Sequence, residues 1–345
     1  MAGPAGNVLF YGDNLDVLRR HVKDESVDLV YLDPPFNSNA DYNVLFGHAD
    51  GSRAAAQIKA FGDTWHWDQA AAAAFQETVV AGGAVASALA AFQTLIGPSN
   101  MLAYLSMMAP RLIELRRVLK STGSLYLHCD PTASHYLKLL LDAVFAPENF
   151  QSEIVWRRYG AHNDSKGYGR VHDTILFYSR EKSPYFKKQH QPYEPEYVAQ
   201  RFRFSDPDGR RWSEQNLASP NPRPNLTYPF TATNGVTYQP PPNGWKYTLE
   251  KLTELDRQGL LHYPAKEGGR LRLKNYLDRM PGVPVQDWWT DVGAIGGTSP
   301  ERLGYPTQKP LALLERIIAS SCPPGGGWSS TRSAGVARQS QQPSR

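Results

Sequence analysis

The chain has 345 residues, enough for one large or two moderate domains, and Lys and Arg exceed Asp and Glu by only 37 to 33, which permits a nucleic-acid partner without requiring one. Two cysteines exclude a disulfide framework and a four-thiolate metal site. The N-terminus has no signal-peptide pattern and no apolar run reaches the roughly 18 residues of a membrane span, so we expect a soluble cytoplasmic protein.

The first predicted element is a short apolar strand at residues 7–11, with the sequence NVLFY. Asp13 follows this strand, and a helical pattern of apolar residues begins directly after it. An acidic side chain at this place can accept hydrogen bonds from a nucleoside, as in dinucleotide-binding folds, or it can cap the helix. The local sequence favours the helix cap.

The second predicted strand, residues 27–33, has apolar side chains on both faces, as in a strand buried within a parallel sheet. It runs into Pro34 and Pro35, which lack N–H donors and fix the backbone, so the strand must end there. Asp33 and the ring of Phe36 are therefore expected at the carboxyl end of the strand, the edge at which open α/β sheets bind ligands.

This tetrapeptide suits a chemistry directed at the exocyclic amino group of a nucleobase. Such a nitrogen is a poor nucleophile, because its lone pair is delocalised into the ring. The Asp33 carboxylate and the Pro34 carbonyl can accept its N–H bonds, and the Phe36 ring can stack on a base held outside the duplex. The alternative is an ordinary proline turn after a strand, and four residues alone do not decide between the two.

Residues 69–95 are rich in alanine and are predicted to form a helical insertion at the surface. A third strand is predicted at residues 124–128, with the sequence SLYLH. His128, Asp130 and His135 suggest a metal site, but nothing fixes a third protein ligand, because Asp130 is placed to cap the next helix. We therefore predict no metal.

Residues 151–211 interleave basic and aromatic side chains, and Lys and Arg outnumber Asp and Glu there by 12 to 8. Such side chains can contact phosphates and stack on bases, although a solvated face with ordinary core aromatics gives the same pattern. Within this window, residues 172–178 (HDTILFY) are predicted to form a strand. The candidate DNA contacts are Arg157, Arg158, Tyr159, Lys166 and Arg170.

Close to residue 310, a polar turn precedes the amphipathic segment LALLERIIASS. Thr307 is predicted to cap this helix, with Pro310 in its first turn. The chain contains no Walker loop and no G-x-G-x-x-G motif, so a nucleotide phosphate site of either kind is not indicated.

Six segments stand out along the chain: GDNLDVL, VDLVYLDPPFN, GSLYLHCDPTASHYLK, AHNDSKGYGRVHDTILFYS, PGVPVQDWW and RLGYPTQKPLALLERII. Together they strongly resemble the beta-class amino-methylating DNA methyltransferases, in that family's order and over residues 7–321. The resemblance implies an α/β, Rossmann-like, S-adenosylmethionine-dependent fold. It also implies a circularly permuted motif order, in which the catalytic strand precedes the cofactor loop.

The resemblance assigns roles residue by residue. Asp13 matches the acidic residue beside the cofactor's adenosine, and an Asp at position 33 is similar to the adenine-N6 subclass, with cytosine-N4 the near alternative. Phe36 replaces the Tyr of many relatives and keeps a stacking surface. The catalytic tetrapeptide corresponds to Asp33, Pro34, Pro35 and Phe36. The motif that lines the cofactor's methionine end corresponds to Thr307, Gln308, Lys309 and Pro310.

The same resemblance implies partners and a domain order. Double-stranded DNA is the expected substrate, which implies association with a bacterial nucleoid, and a cognate restriction endonuclease is an expected partner. The expected divisions are 1–150, the catalytic half of the core with its insertion; 151–290, the DNA-recognition region; 291–327, a return to the core with the cofactor-side helix; and 328–345, a tail.

The resemblance breaks after the ERII helix, where the family continues with a strand and a glycine-rich turn, typically VLDPFxGxGT. Residues 328–338 read WSSTRSAGVAR instead. Codons compatible with these residues, read from the last base of the Gly327 codon, encode VVLDPFCGCGT. We therefore hypothesise a frameshift within the stretch encoding residues 323–327, with an out-of-frame, disordered tail from residue 328.

Three expectations depend on this break. The family's strand order, 3-2-1-4-5-7-6, would lack its middle, which leaves the strand at 27–33 with an unpaired edge and the chain poorly soluble. Useful affinity for S-adenosylmethionine is not expected, because the glycine turn is missing. A non-catalytic DNA-binding remnant is therefore a competing interpretation. Independently of the break, a methyltransferase acting on RNA or protein is a third interpretation, because it shares the Asp-Pro-Pro-aromatic chemistry, but the long recognition-like insertion counts against it.

Overall fold

The structure, a computed structural model, describes ten segments of the chain. These are residues 8–10, 12–34, 41–43, 59–62, 66–160, 167–266, 268–303, 308–325, 328–332 and 335–339, with the backbone alone described for 8–9, 41–43, 59–62, 328–332 and 335–339. Across these segments, no helix is both long and apolar enough to cross a membrane.

The strands, in chain order, are β1 (Val8–Phe10), β2 (Val27–Asp33), β3 (Asp41–Asn43), β4 (Lys59–Gly62), β5 (Leu119–Cys129), β6 (Phe150–Arg157), β7 (His172–Ser179), β8 (His190–Gln191) and β9 (Phe204–Ser205). They continue with β10 (Arg211–Asn216), β11 (Phe230–Thr231), β12 (Thr237–Tyr238), β13 (Leu261–His262), β14 (Arg272–Tyr276), β15 (Val283–Pro284), β16 (Trp288–Trp289), β17 (Trp328–Arg332) and β18 (Gly335–Gln339). The α-helices are α1 (Asn14–His21), α2 (Gln69–Ala81), α3 (Gly83–Ile96), α4 (Asn100–Val118), α5 (Ser134–Phe145), α6 (Pro195–Arg201), α7 (Leu249–Arg257) and α8 (Leu311–Ser321).

The chain forms two compact units, and the larger, residues 1–189 with 285–345, is built on a mixed sheet. Its strand order is β1-β18-β17-β2-β5-β7-β6-β16. Strand β2 pairs in parallel with β17 and β5, and β7 runs antiparallel to both β5 and β6. The run β2-β5-β7-β6 reproduces the 4-5-7-6 half of the expected strand order, so the α/β, Rossmann-like fold is confirmed.

Strand β2 explains why the sheet is covered on both faces. All seven of its residues are buried, and successive side chains of a strand point to opposite faces. Val30 and Leu32 belong to a core cluster with residues of α1 to α5, whereas Leu29 and Tyr31 belong to a second cluster that includes Leu313 of α8. By the same alternation, Asp33 lies on the α8 face.

The alanine-rich segment is helical, and one face of it packs into the core of this unit while the rest is largely exposed. It forms two helices, α2 and α3, that separate at Gly82, whose φ of 76° favours glycine. Phe75 of α2, and Leu89 and Phe92 of α3, which are three residues apart, are buried in the cluster on the α1-to-α5 face. Alanine-rich helices can approach neighbours closely, so their composition alone did not indicate exposure.

The segment from residue 328 also differs from expectation, because it contains strands rather than a disordered tail. All five residues of β17, Trp328–Arg332, pair with β2, and β18, Gly335–Gln339, lies between β17 and β1. The middle of the sheet is therefore filled, and β2 has no unpaired edge. Backbone N–H and C=O groups form the hydrogen bonds between strands, whatever side chains they carry. An open sheet edge can therefore pair with a segment whose side chains show no strand pattern.

The smaller unit, His190–Pro284, is narrower than the expected recognition region at 151–290. It has its own sheet, in the order β13-β14-β10-β9, and a core that includes Trp212, Trp245 and Leu252. Residues 151–189 instead contribute β6 and β7 to the large sheet. The basic residues of that stretch hid a period-2 strand pattern, in which Ile154 and Trp156 are buried.

Candidate active site

The candidate site lies where β2 ends, at Asp33. Leu32 pairs with Leu127 in parallel register, so the carboxyl ends of β2 and β5 meet at one edge of the sheet. The Asp33 side chain is only 6% exposed, and Pro34 is also buried. Pro35 and Phe36, the other two residues of the predicted catalytic tetrapeptide, lie outside the described residues.

The ammonium group of Lys309 holds the Asp33 carboxylate. Its Nζ lies 2.9 Å from Oδ1 and 2.9 Å from Oδ2, and the Lys309 side chain is 7% exposed. A second Lys–Asp pair joins Lys120 of β5 to Asp28 of β2, the strand that carries Asp33. Its N–O distances are 2.8 and 2.7 Å, but the Lys120 side chain is 40% exposed. The Asp33–Lys309 pair is thus the more deeply buried of the two.

Lys309 reaches Asp33 because the segment before α8 is fixed by its own contacts. Gln308 donates to the carbonyl of Glu301 at 2.6 Å and accepts from the backbone N–H of Leu303 at 2.7 Å. Pro310 precedes the first residue of α8 without a side-chain cap, and the Glu301 carboxylate accepts from the N–H of Leu311. Thr307, predicted to cap this helix, lies outside the described residues.

Asp13 caps α1, as the local sequence indicated. Its Oδ1 accepts a hydrogen bond of 2.8 Å from the N–H of Leu15. Arg111 of α4 also donates to both carboxylate oxygens, at 2.9 and 2.8 Å, and to Asn14 at 2.7 Å. The Asp13 side chain remains 51% exposed, so the cap leaves part of the carboxylate accessible.

A buried polar array that the sequence did not reveal lies beside Asp33. His128 of β5 is fully buried, with the Tyr31 hydroxyl 2.8 Å from Nδ1 and Oδ2 of Asp173 2.7 Å from Nε2. Asp33 Oδ1 is 4.0 Å from the same Nδ1. Trp156 packs edge-on against the imidazole, with ring centroids 5.5 Å apart. The signal in the sequence was a polar residue near one end of each of three apolar strands, the carboxyl end of β2 and of β5 and the amino end of β7.

Charge is balanced in this array when the imidazole is neutral. Burial, followed by the nearby charge of Lys309, lowers the pKa of His128 below its ordinary value. Burial alone would raise the pKa of Asp173, but the hydrogen bond from His128 and the charge of Arg158 outweigh it and the pKa falls. Two carboxylates then face two cations, Lys309 and Arg158.

His128, Asp130 and His135 do not converge. Asp130 caps the turn before α5, accepting from the N–H groups of Thr132 at 3.0 Å and Ala133 at 3.3 Å. His135 is exposed on α5, whereas His128 is buried. Among the described residues, no group of three His, Cys, Asp or Glu side chains could hold a metal ion.

The candidate DNA contacts separate into exposed and paired residues. Arg157, Tyr159 and Arg170 are exposed, and Lys166 lies outside the described residues. Arg158 is partly buried: its Nη1 lies 3.0 Å from Oδ2 of Asp173, and its Nη2 donates to the Tyr159 hydroxyl at 2.8 Å. Exposed aromatic rings on the larger unit include those of Tyr168 and of Trp288 on β16, which is 63% exposed.

Comparison with known proteins gives one family. The sequence model of the N6/N4 methyltransferases, described as DNA methylase, matches residues 27–327. The StyLTI Mod subunit, a type III restriction-modification enzyme of Salmonella typhimurium, is 27% identical over 90% of this chain and 46% of its own length. The type II methyltransferase M.EcaI of Enterobacter cloacae is 30% identical over 65% of this chain and 48% of its own. The chain thus spans about half the length of these relatives.

Solved structures resemble the chain more remotely. The M1.HpyAVI–SAM complex is 11% identical over 92% of this chain and 78% of its own, with a TM-score of 0.33. The cytosine-N4-specific PvuII DNA methyltransferase is 13% identical over 55% of this chain and 60% of its own, with a TM-score of 0.29. Similarity this low does not bear on the chemistry of the site.

Proposed function

Because the chain belongs to the N6/N4 DNA methylase family, we propose that it carries the catalytic part of a DNA amino-methyltransferase of a restriction-modification system. The proposed reaction transfers a methyl group from S-adenosylmethionine to N6 of an adenine in DNA. Cytosine N4 is the alternative acceptor. The names of the type III Mod relatives support the restriction-modification setting, and with it a cognate endonuclease as partner.

One observation carries the proposal: a buried carboxylate stands at the mouth of the sheet with a cation behind it. An ionised carboxylate is an acceptor with about four lone-pair sites, and the Lys309 ammonium uses two of its contacts. A carboxylate is an acceptor and an exocyclic amine is a donor, so the two groups are chemically matched. Lys309 offsets the charge of Asp33 in a position where an unpaired carboxylate would be costly.

The residues present fit the proposed cofactor in part. The half-exposed carboxylate of Asp13 would accept hydrogen bonds from the adenosine part of the cofactor. Lys309 belongs to the motif that the resemblance assigns to the methionine part, and its ammonium group lies beside Asp33. The bound cofactor would supply the electrophilic methyl group. Residues 328–332 read WSSTR and contain no glycine turn to donate backbone N–H groups, so we propose that affinity for the cofactor is low.

Adenine is proposed over cytosine from the Asp at position 33, through the resemblance described above. The DNA contact surface is proposed around the exposed residues Arg157, Tyr159 and Arg170, with Lys166 retained from the sequence. A DNA-binding remnant without catalytic activity is the second candidate, and the missing glycine turn favours it.

A pair of matched variants tests the catalytic role. Asp33→Ala should abolish transfer of label from S-adenosyl-[methyl-³H]methionine to DNA while DNA binding is retained. Asp28→Ala removes the other Lys-paired carboxylate of β2 and should leave transfer measurable. Full activity in Asp33→Ala would remove the proposed role. DNA binding by the unaltered chain, with no transfer at any cofactor concentration, would favour the remnant.

A further inference from the structure

The smaller unit contains a cleft of about 870 Å³ that has no role in the chemistry described so far. The buried side chains of Leu217, Trp245 and Leu271 line it, together with the half-buried ring of Tyr238. Small-ligand sites in proteins have volumes of roughly 300–1,000 Å³. The cleft is therefore large enough for a group the size of a nucleotide.

One wall of the cleft is the β11–β12 hairpin, which the rest of the unit holds in place. The Asp256 carboxylate, only 5% exposed, accepts from the backbone N–H of Thr233 at 2.7 Å and from the Tyr263 hydroxyl. The Tyr263 ring stacks on the Tyr238 ring, with centroids 6.5 Å apart. Asn234 donates to the Tyr238 hydroxyl at 3.1 Å. These contacts fix the position of Tyr238, so this side of the cleft is preformed.

A second wall is the tight turn that leads into β14. The N–H of Gly269 donates to the carbonyl of Lys266 at 3.1 Å. A Cβ atom at Gly269 would lie 2.4 Å from the Cβ of Pro264, so the turn requires glycine at this position. The turn places two cationic residues, Lys266 and Arg270, at the cleft.

The polar groups that the cleft offers to a ligand are mainly donors. Lys266 and Arg270 are exposed, and their side chains have no hydrogen-bond or ion-pair partner in the part of the chain that the structure describes. Oδ1 of Asn216 accepts from the N–H of Ala218 at 3.1 Å, which leaves its NH₂ group to donate. None of the described lining residues is acidic, and Glu267 lies outside the described residues. An anionic ligand rich in acceptors, such as a phosphodiester, matches this set.

Flat apolar surfaces lie beside these donors. Tyr238 and three consecutive prolines, Pro240, Pro241 and Pro242, line the same cleft. Within a duplex the faces of a base are covered by its neighbours, and a side chain can stack on a base only where the base is unstacked. The proposed methyl transfer turns one base out of the duplex and so leaves the nucleotide opposite it unpaired.

We propose that this cleft binds an unpaired nucleotide of the DNA substrate, with Tyr238 and the prolines against the base and with Lys266 and Arg270 on the flanking phosphates. The choice of DNA over a free nucleotide rests on the proposed function. The cleft is a nucleic-acid site on the smaller unit, whereas the candidate contacts at residues 157–170 belong to the larger unit.

Binding without cofactor tests the charge contacts. Fluorescence anisotropy would compare a duplex that carries a one-nucleotide bulge with the same duplex fully paired, and the full chain should bind the bulged duplex more tightly. Lys266→Ala with Arg270→Ala should abolish this preference and reduce the salt slope for the bulged duplex by roughly 1.4, since each contact with a single-stranded phosphate contributes about 0.7. The control, Lys251→Ala with Arg257→Ala, removes the same two charges from exposed positions on α7 and should keep the preference.

Cross-linking locates the unpaired base on the unaltered chain. 5-Iododeoxyuridine at the bulge should cross-link on irradiation to the peptide that contains Tyr238, as identified by mass spectrometry, and the same base in the paired duplex should not. Tyr238→Leu keeps apolar bulk and removes the stacking ring. It should abolish the cross-link and weaken binding of the bulged duplex by about tenfold.

Three results would overturn the inference: equal binding of the bulged and paired duplexes, equal effects of the cleft and α7 variants, or a cross-link that maps only to the larger unit. Displacement of the bulged duplex by dAMP at the concentration at which unlabelled bulged duplex displaces it would also overturn it, because the cleft would then be a site for free nucleotides. Methyl transfer without any preference for the bulge would leave the proposed function standing. Absence of methyl transfer with a cross-link at Tyr238 would count against the proposed function alone.

Discussion

Lys309→Met should cost about 3 kcal/mol of the free energy of unfolding, because it removes one partner of a buried ion pair and keeps the aliphatic bulk. Asp33 and Lys309 are 6% and 7% exposed and make two contacts of 2.9 Å, so the carboxylate left behind is poorly reached by water. Lys120→Met is the matched control, because Lys120 pairs with Asp28 on the strand that carries Asp33. Its partner Asp28 is as buried as Asp33, at 5% exposed, but the Lys120 side chain is 40% exposed, so water already screens this pair and can take the place of the ammonium group. We therefore expect a cost of about 1 kcal/mol.

The assay is urea unfolding at pH 7, followed by a signal from the larger unit. The double variant Asp33→Asn with Lys309→Met should recover about half or more of the loss, since no uncompensated charge is then buried. Equal costs for Lys309→Met and Lys120→Met would refute the argument from burial. A double variant no more stable than Lys309→Met alone would show that the loss does not come from the stranded carboxylate.

Three further predictions concern pH, DNA and the cofactor. The pKa of His128 is lower in the folded chain than in the unfolded chain, so the stability that this residue contributes is complete above about pH 6.5. It falls on acidification by up to about 1.4 kcal/mol per pH unit. His128→Gln should therefore make the urea midpoint depend less on pH between about pH 7 and 5.5, and an unchanged pH dependence would contradict this. Arg157→Ala should weaken DNA binding and reduce its salt slope by about one. Arg158→Ala should mainly lower the free energy of unfolding, by about 2 kcal/mol, because it removes the cation that offsets the buried Asp173 carboxylate. Fluorescence anisotropy and urea unfolding would separate the two effects, and a loss of DNA affinity in Arg158→Ala but not in Arg157→Ala would contradict the proposed surface. Restoring the alternative frame from residue 328 should produce a rise in Tm on adding S-adenosylmethionine that the unaltered chain lacks, and an equal rise in both would contradict the frameshift hypothesis.

Local pattern predicted the strands that build the site. Residues 27–33, apolar on both faces, form a fully buried strand, and the SLYLH and HDTILFY segments lie within β5 and β7. These predictions succeeded because burial within a sheet requires apolar runs of this length whatever lies elsewhere in the chain.

What the sequence did not predict are the partners brought together by the fold. Lys309 and Asp33 are 276 residues apart, and no local pattern links them. Arg158 resembled a surface cation, since its partner Asp173 becomes its neighbour only through the β6–β7 register. The same register also places residues 151–157 in the large sheet, although the sequence had assigned them to the recognition region. Backbone pairing at residues 328–332 was missed for a different reason, because a sheet edge accepts a strand whose side chains carry no strand signal.

Analysis of the methylated nucleoside is the most direct test of the central claim, that Asp33 presents an adenine amine to the methyl donor. DNA would be incubated with S-adenosylmethionine and either the chain as it stands or the chain with its frame restored from residue 328, then digested and examined by mass spectrometry. The predicted product is N6-methyladenine, abundant with the restored chain, scarce with the unaltered one, and absent from both when Asp33 is replaced by Ala. N4-methylcytosine as the product, or N6-methyladenine that persists in Asp33→Ala, would contradict the claim.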